Sequence, residues 1–196
     1  MRLILGIGNP GKRYQHNRHN VGFMFLDYLA NKYSISFIPS RNDYYFAEHK
    51  IGENYFSLVK PSNYVNNSGF SAMQAISNYN ASIDDLLVVH DDVYLETGTF
   101  RLKLSGGDGG HKGINSIIYN LSSEDVVRIR IGVGGKDFSQ DNIAEYVLSD
   151  FNEDEKLLNE AFENCSLLAE AFICGGKKQL LDVNSKLVKP NNNSEN

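Results

Sequence analysis

The residue types best suited to chemistry in this chain are a histidine and a carboxylate that stand far apart in the sequence. His19 lies in a polar stretch just before a predicted helix, so it does not belong to an apolar face. An imidazole titrates near neutral pH and can take a proton from water, as a general base does. Asp91 follows the predicted buried strand at residues 86–90, where a carboxylate can orient an imidazole and stabilise its protonated form. The pattern predicts that His19 and Asp91 together activate water.

Other uses of these residues stay open at this point. His19 could be a structural histidine and Asp91 a turn residue. His90 and Asp92 could add ligands to make a metal site, but the chain has no H-E-x-x-H and no C-x-x-C motif, so we expect no metal. A serine nucleophile is disfavoured because no G-x-S-x-G motif occurs, and Ser68 is interpreted as part of a helix cap.

The glycine-rich segment at residues 104–113 contains five glycines within eight residues. Such a segment can form a mobile flap or a backbone nest that approaches a ligand closely. It is not a Walker motif, because Lys112 is followed by Gly113. Basic residues flank the segment in the predicted order of elements and suggest phosphate binding, although alternating Arg and Lys are also ordinary on exposed strands. They are Arg101, Lys103, Lys112, Arg128 and Arg130.

Residues 6–11 read G-I-G-N-P-G, which matches the G-x-G-x-x-G pattern of dinucleotide-binding turns. Such a turn needs a helix that begins at the glycines, so that its N–H groups meet a pyrophosphate. Pro10 removes a donor and pushes Asn9 out of helical dihedral angles, and apolar helical spacing starts only at Val21. The nearest acid, Asp27, falls inside that helical pattern instead of ending a second strand. We therefore expect no dinucleotide and no other cofactor.

Strand-like and helical segments alternate along the chain, which predicts an α/β domain. The apolar run at residues 3–7 and the predicted strand at residues 86–90, apolar up to its polar end at His90, are typical of strands buried on both faces. Residues 44–50 and 55–59 form a predicted hairpin. The remaining predicted strands cover residues 35–38, 99–104 and 126–133, and the predicted helices cover residues 21–33, 70–79, 114–121 and 153–174. We expect one domain, residues 1–188, in which helices flank a central mixed, mostly parallel sheet. Sites in such sheets gather at the carboxyl ends of strands, where Asn9 and Asp91 stand.

Composition and charge bound the class of protein. At 196 residues the chain can bury a core without disulfides, and we expect Cys165 and Cys174 to be core residues, as suits a reducing cytoplasm. The net charge of −5 is uneven, since residues 1–136 carry 14 Lys and Arg against 12 Asp and Glu. The first part therefore leaves room for a basic surface. We expect no membrane span, and we expect the polar tail at residues 189–196 to be disordered.

Five motifs, spread over nearly the whole chain, stand in the order in which one known family has them. They are Gly8-Asn9-Pro10-Gly11 with Tyr14 and Arg18-His19-Asn20-Val21-Gly22; Lys60-Pro61 with Asn66-Asn67-Ser68-Gly69; Val89-His90-Asp91-Asp92; residues 105–113; and Arg128-Ile129-Arg130-Ile131-Gly132. Taken together, they make the chain resemble the bacterial peptidyl-tRNA hydrolases. The resemblance is highly specific because it does not depend on any single short motif.

The resemblance implies a role for each matching residue. His19 matches the catalytic base of the family, and Asp91 matches its partner. Asn9 and Asn66 match asparagines that hold the 3′ end of the tRNA and the peptide main chain, and Asn66 is expected to help stabilise the oxyanion. His111 matches a histidine of the flap near the tRNA end.

Two positions depart from the family pattern. Val65 stands where the family usually has methionine, and it still supplies an apolar wall. Lys112 stands where the family usually has asparagine, and an ammonium group only donates hydrogen bonds whereas an amide also accepts them. Lys112 therefore puts in question how water or substrate is held under the flap. The other implied contacts are Tyr14 and Tyr64 beside the substrate, and Lys103 and Arg130, which match a basic pair that grips the tRNA 5′-phosphate.

The implied activity is hydrolysis of the ester between a peptide, or an N-blocked amino acid, and the 3′ ribose of tRNA. We expect water activated by His19 and Asp91 to attack without a metal ion or a covalent intermediate. We further expect a cytoplasmic monomer whose partner is peptidyl-tRNA, with no membrane and no obligate protein partner. The alternative is a non-catalytic RNA-binding protein of the same fold, as in a plastid relative that serves intron splicing. Lys112 keeps that alternative open, while His19, Asn9 and Asp91 speak against it.

Overall fold

The computed structural model describes residues 1–136, 138–152 and 155–188, and seven strands and five α-helices account for most of them. The strands are β1 (Arg2–Gly6), β2 (Ile38–Pro39), β3 (Tyr44–Ile51), β4 (Asn54–Pro61), β5 (Leu86–Glu96), β6 (Phe100–Lys103) and β7 (Val127–Gly134). The helices are α1 (Val21–Lys32), α2 (Ser68–Asn78), α3 (Lys112–Leu121), α4 (Ile143–Val147) and α5 (Glu155–Leu187). The predicted tail at residues 189–196 lies outside the described residues. No helix in the described part of the chain is long and apolar enough to cross a bilayer.

The seven strands form one sheet in the order β2-β3-β4-β1-β5-β7-β6. The four central strands, β4, β1, β5 and β7, run parallel, while β2 and β3 on one side and β6 on the other are antiparallel additions. The prediction of a mixed sheet with a parallel centre is confirmed. Because β1 and β5 are adjacent and parallel, their carboxyl ends meet at the same edge of the sheet.

The helices cover both faces of the sheet, which explains why the central strands are apolar throughout. Ile4 of β1 points toward α1 and α5, whereas Leu3 and Leu5 point toward α2 and α3. All three side chains are fully buried. Successive residues of a strand face opposite sides, so a strand covered on both sides needs apolar residues at every position.

The glycines of the G-I-G-N-P-G segment bring α1 against the sheet. A Cβ on Gly6 would lie 2.5 Å from the carbonyl oxygen of Gly22, and a Cβ on Gly22 would lie 2.5 Å from the carbonyl oxygen of Val89. The absence of both side chains therefore lets the start of α1 touch β1 and β5 directly. No α-helix begins at these glycines, since α1 starts at Val21 after two short 3-10 turns, as predicted.

Three predicted elements differ from the observed ones. Of residues 35–38 only Ile38 joins a strand, because Ile35 and Phe37 pack against the core from a loop without a strand partner. β5 does not end near Asp91 but continues to Glu96 beyond a register shift against β7. The last predicted helix, residues 153–174, extends to Leu187, and residues 153–154 lie outside the described part of the chain.

The long helix α5 contains a break that also changes the interpretation of its cysteines. Gly176 has φ 62° and ψ −154°, a conformation that side-chain-bearing residues avoid, so the helical path is interrupted there and then resumes. Cys165 is buried, as predicted, but Cys174 just before the break is exposed. The expectation that Cys174 is a core residue was wrong, because Cys174 faces solvent while the apolar side of α5 carries Phe172, Ile173 and Leu180 into the core.

Candidate active site

A cleft of about 700 Å³ opens beyond the end of β1 and beside residues 90–94 of β5, and it collects side chains that are distant in the sequence. One side consists of the glycine-rich segment before α3, and the other consists of α4 and the residues that follow it. Most of the predicted site residues line this cleft: Asn9, His19, Val65, Asn66, Asp91, Lys103, His111, Lys112 and Arg130. Tyr14 and Tyr64 do not line it.

The predicted pair of His19 and Asp91 is in direct contact. His19 stands in the 3-10 turn that leads into α1, and its Nδ1 lies 2.8 Å from Oδ1 of Asp91 on β5. Asp91 is almost completely buried, so its carboxylate is held at one position. Because Nδ1 of His19 donates to this carboxylate, its Nε2 keeps a lone pair on the cleft side. This arrangement suits a general base.

His111 binds the same carboxylate oxygen as His19. Its Nε2 lies 2.9 Å from Oδ1 of Asp91, while its Nδ1 accepts the backbone N–H groups of Gly113 at 3.1 Å and Ile114 at 3.2 Å. The acceptor role of Nδ1 places the ring hydrogen on Nε2, which donates to Asp91. Both nitrogens of His111 are thus used inside the protein. The sequence did not indicate this bond to Asp91.

Burial and charge together set the proton affinities of the pair. Burial alone would raise the pKa of Asp91, but the nearby imidazoles of His19 and His111 outweigh it and hold the pKa of that carboxyl well below its usual range. Burial lowers the pKa of His19, but the charge and hydrogen bond of Asp91 raise it by more, and the ammonium of Lys112 partly opposes that rise. The net result is an ionised Asp91 beside a histidine whose pKa lies above its ordinary value.

The alternative metal site with His90 and Asp92 is not assembled. His90 is buried and its Nδ1 donates to the carbonyl oxygen of Asp91 at 2.7 Å, and burial followed by the charge of His111 lowers its pKa well below the ordinary value. The ligand atoms that do cluster within 4.8 Å belong to His19, Asp91 and His111. A cation there would have to replace both imidazole hydrogens that Asp91 now accepts.

Asn9 is held so that its amide nitrogen is left over for the cleft. Its Oδ1 accepts the N–H of Val65 at 3.1 Å. Its backbone is clamped by Asn20, whose Oδ1 accepts the Asn9 N–H at 2.8 Å and whose Nδ2 donates to the Asn9 carbonyl at 2.9 Å. The Nδ2 of Asn9 has no partner among the described residues. The sequence analysis named Asn20 only as part of the motif around His19 and did not identify it as a positioning residue.

Asn66 stands exposed at the cleft, on the 3-10 turn Val65–Asn67 before α2. The hydroxyl of Ser68 donates to the carbonyl of Val65 at 2.8 Å and so stabilises this turn. The expected helix cap is not formed, because no side chain at Asn67 bonds to the first turn of α2. Ser68 is fully buried, and a role as a nucleophile is excluded by its position.

The basic residues around the cleft have different surroundings. Arg128 is almost fully buried and binds the carbonyls of Gly106 and Gly107, so it anchors the glycine-rich segment and is not a surface residue. Lys103 donates to the same Gly107 carbonyl at 3.0 Å. Arg130 is held by Asp92, with Nε 2.5 Å from Oδ2. Lys103 and Arg130 lie on one face of the β6–β7 pair, where Arg101 is opposite Arg130 and Lys103 opposite Arg128.

Tyr14 and Tyr64 pack against each other outside the cleft. Their rings meet edge to face with centroids 6.3 Å apart, and the guanidinium of Arg13 lies 4.5 Å from the centre of the Tyr14 ring. Tyr64 is 53 % exposed and directly precedes Val65 of the cleft wall. A contact of these rings with substrate stays a prediction.

The molecule is an α/β protein whose cleft holds a hydrogen-bonded His–Asp pair beside amide groups, an arrangement that suits attack of water on a carbonyl group. The chain belongs to the peptidyl-tRNA hydrolase family, whose model matches residues 3–192. It is 39 % identical over 188 residues to the peptidyl-tRNA hydrolase of Thermotoga sp. (strain RQ2), covering 94 % of this chain and 97 % of the relative. It is 40 % identical over 183 residues to that of Clostridium tetani, covering 93 % and 96 %.

Solved structures agree with the sequence relatives. A crystal structure of a peptidyl-tRNA hydrolase with N-propanol superposes with a TM-score of 0.86 at 29 % identity, covering 95 % of this chain and 94 % of that one. The enzyme from Acinetobacter baumannii gives 0.85 at 30 % identity, covering 93 % of each chain. The resemblance seen in the motifs is confirmed. The chain is an ester hydrolase that acts on peptidyl-tRNA, and the non-catalytic RNA-binding alternative is not favoured.

Proposed function

We propose that the chain cleaves the ester of peptidyl-tRNA by attack of a water molecule that His19 deprotonates. The observation that carries this proposal is the 2.8 Å bond between Nδ1 of His19 and Oδ1 of Asp91, which leaves Nε2 of His19 as an acceptor in the cleft. A general base must reach the proton that it abstracts with an available lone pair. Nε2 of His19 meets that condition.

The reaction needs two proton transfers at Nε2 of His19. As the oxygen of water bonds to the ester carbonyl carbon, one of its protons passes to Nε2, and the carbonyl oxygen becomes an oxyanion. When the tetrahedral intermediate collapses, the bond to the 3′ oxygen of the ribose breaks, and Nε2 returns the proton to that oxygen. The products are a free peptide acid and tRNA with an intact 3′ hydroxyl.

The amide nitrogens of Asn9 and Asn66 support the oxyanion in this proposal. Both side chains line the cleft near His19, and Asn9 is immobilised by its bonds to Val65 and Asn20. Donors held in place before the reaction stabilise developing charge without reorganising, which is worth about 10²-fold or more in rate per donor. Asp91 stabilises the imidazolium that forms on His19, and its own charge is maintained by the two imidazoles.

The tRNA contacts follow from charge and position. Lys103 and Arg130 bind the 5′-phosphate of the tRNA, because both line the cleft and project from one face of the β6–β7 pair. Lys112, Val65 and His111 border the ester, and Tyr14 with Tyr64 contacts the tRNA 3′ end from outside the cleft. The protein acts as a monomer in the cytoplasm, where peptidyl-tRNA arises, and needs no metal or cofactor.

The test is release of N-acetyl-amino acid from N-acetyl-aminoacyl-tRNA by the wild type and by His19→Ala, each with and without EDTA. We expect His19→Ala to lose about 10²-fold or more in kcat, because no other group replaces the base. His49→Ala is the matched control, since His49 is an exposed histidine on β3 far from the cleft. EDTA should leave the wild-type rate unchanged.

Two results would contradict the proposal. Turnover by His19→Ala at the wild-type rate would remove His19 as the base. Loss of wild-type turnover in EDTA, with recovery on adding a divalent cation, would show that a metal ion supplies the nucleophile.

A further inference from the structure

The segment directly before His19 is bonded to the segment directly after α4. The Arg18 N–H donates to the Ser149 carbonyl at 3.0 Å, and the Phe151 N–H donates to the His16 carbonyl at 3.2 Å. The side chain of Asn17 donates to the carbonyl of Leu148. Residues 16–18 and 148–151 thus form a short antiparallel contact that joins α4 to the turn of the base.

The side chain of Arg18 reinforces this contact from within. Although it is an arginine, Arg18 is only 2 % exposed. Its guanidinium lies 4.7 Å from the centre of the Tyr146 ring and 5.2 Å from that of Phe151, and it donates to the carbonyl of Asp150. A buried guanidinium that lies over two aromatic rings and donates to a backbone carbonyl is a directional contact that an apolar residue of similar size cannot reproduce.

Further contacts connect α4 to Asp92, the residue after Asp91. Tyr146 of α4 donates its hydroxyl to the Val133 carbonyl at 2.8 Å, and its ring lies 5.4 Å from that of Phe138. Phe138 meets Tyr94 at 5.7 Å, and the N–H of Tyr94 donates to Oδ1 of Asp92 at 2.9 Å. One chain of contacts therefore runs from the neighbour of His19, through α4, to the neighbour of Asp91.

α4 is also the apolar wall of the cleft. Ile143, Ala144 and Val147 of α4, with Leu148 after it, line the cleft that His19 lines from another side. Arg18 itself does not line the cleft. We propose that Arg18 is a positioning residue that fixes the distance between this apolar wall and His19, and that it thereby favours esters whose amino acid has a large apolar side chain. This inference rests on the proposed function, because it concerns the same cleft and base.

The experiment compares Arg18→Met with the wild type on N-acetyl-leucyl-tRNA and N-acetyl-glycyl-tRNA. Loosening the wall weakens the contact with a leucyl side chain, so we expect KM for the leucyl substrate to rise about tenfold, with kcat changed by less than about threefold. The glycyl substrate has no side chain to meet the wall, and we expect both of its constants to stay within about threefold. Taking each variant relative to the wild type on the same substrate removes the difference between the two tRNAs.

Further variants guard against a general loss of structure. Tyr146→Leu removes the ring on which Arg18 stacks, so it should raise KM for the leucyl substrate and leave KM for the glycyl substrate nearly unchanged. This variant provides the test if Arg18→Met does not fold. Arg18→Lys keeps the charge but not the planar group, and we expect it to restore only part of the affinity. Lys50→Met is the matched control, because Lys50 lies over the exposed ring of Tyr55 at 5.9 Å on the distant β3–β4 hairpin.

Hydrogen exchange provides a readout that does not depend on activity. In Arg18→Met the amides of residues 143–149 should exchange about tenfold faster than in the wild type, while those of α1 and β5 should keep their rates. Equal KM changes for both substrates, a fall in kcat for both with KM unchanged, or unchanged exchange at residues 143–149 would each overturn the proposal. If the wild type fails to release N-acetyl-amino acid, the proposed function fails, whereas the exchange result still decides whether Arg18 positions α4.

Discussion

One carboxylate oxygen organises the chemistry of this site. Oδ1 of Asp91 accepts a hydrogen bond from Nδ1 of His19 and another from Nε2 of His111. The first bond selects the tautomer of His19 that can act as a base, and the second ties the start of α3 to the same carboxylate. Removal of either imidazole therefore affects the other through Asp91, so single substitutions at the two histidines should not have additive effects.

Lys112, which stands where the family usually has asparagine, lowers the pKa of His19. The charged and titratable groups that act on His19 are Asp91, which raises its pKa, and Lys112, which lowers it, while His111 faces it at a ring distance of 5.1 Å. In the proposed mechanism His19 is a base only when deprotonated, so we expect the rate to fall as the pH drops through the pKa of His19. Because Lys112 lowers that pKa, we expect Lys112 to extend activity toward lower pH.

The corresponding test is the pH profile of kcat/KM for Lys112→Asn. Loss of the ammonium should raise the pKa of His19 further, and the acid limb of the profile should move to higher pH. Lys50→Asn is the control, because it removes an exposed lysine from a distant hairpin and should leave the pH of the acid limb unchanged. A limb that stays where it is, or moves to lower pH, would contradict the electrostatic role of Lys112.

Helix α1 sets the position of His19 relative to Asp91 through direct contact with the sheet. His19 is two residues before Val21, the first residue of α1, and Asp91 is two residues after Val89 in β5. A Cβ on Gly22 would lie 2.5 Å from the carbonyl oxygen of Val89 and 2.6 Å from that of Ile7. Backbone atoms cannot move aside as a flexible side chain can, so the separation of α1 and β5 depends on this glycine.

Gly22→Ala should therefore damage stability and catalysis together. Overpacking against two carbonyl groups should cost about 2 kcal/mol or more and lower Tm by roughly 4–8 °C. The shift of α1 should also lengthen the bond between His19 and Asp91 and reduce kcat. Gly52→Asn, at a hairpin glycine with open space and φ +59°, is the control that should change neither value much. A lower Tm with full kcat would show that the pair does not depend on this contact.

The net charge of the whole molecule is negative although its family acts on a polyanion, peptidyl-tRNA. The chain carries −5 overall, yet Lys103, Lys112 and Arg130 line the cleft in which we propose that the tRNA end binds. Arg130 is already paired with Asp92, and Lys103 binds only a backbone carbonyl, so Lys103 has the charge that is freer to meet a phosphate. We therefore expect few phosphate contacts and a shallow dependence of binding on salt.

Salt titration of tRNA binding tests that conclusion. Affinity should fall as salt rises, because each neutralised phosphate releases counterions, and Lys103→Met should reduce the slope of log K against log salt by about 1. Lys50→Met removes the same charge from a distant hairpin and should leave the slope unchanged. A slope that Lys103→Met does not alter would remove Lys103 from the phosphate contact.

The periodicity of apolar residues correctly predicted the strands and helices that a local sequence pattern specifies. It was wrong where contacts between distant segments decide whether a strand forms or where a helix ends. The apolar runs of β1 and β5 identified the two central strands, since strands buried on both faces have an unmistakable composition. Residues 35–38 have strand-like types but lack a neighbouring strand for most of their length. The continuation of α5 past Gly176 was missed because a glycine pair resembles a helix end.

The order of residue types along the chain was sufficient to predict the family, the parallel centre of the sheet and the candidate residues His19, Asp91, Asn9 and Asn66. It was not sufficient to predict how these side chains contact one another. The second imidazole on Asp91, the clamp of Asn20 on Asn9, the burial of Arg128 and the stacking of Arg18 on Tyr146 all join residues far apart in the chain or hidden within a motif. Such contacts depend on distances between atoms of different elements, and these distances exist only once the helices have packed on the sheet.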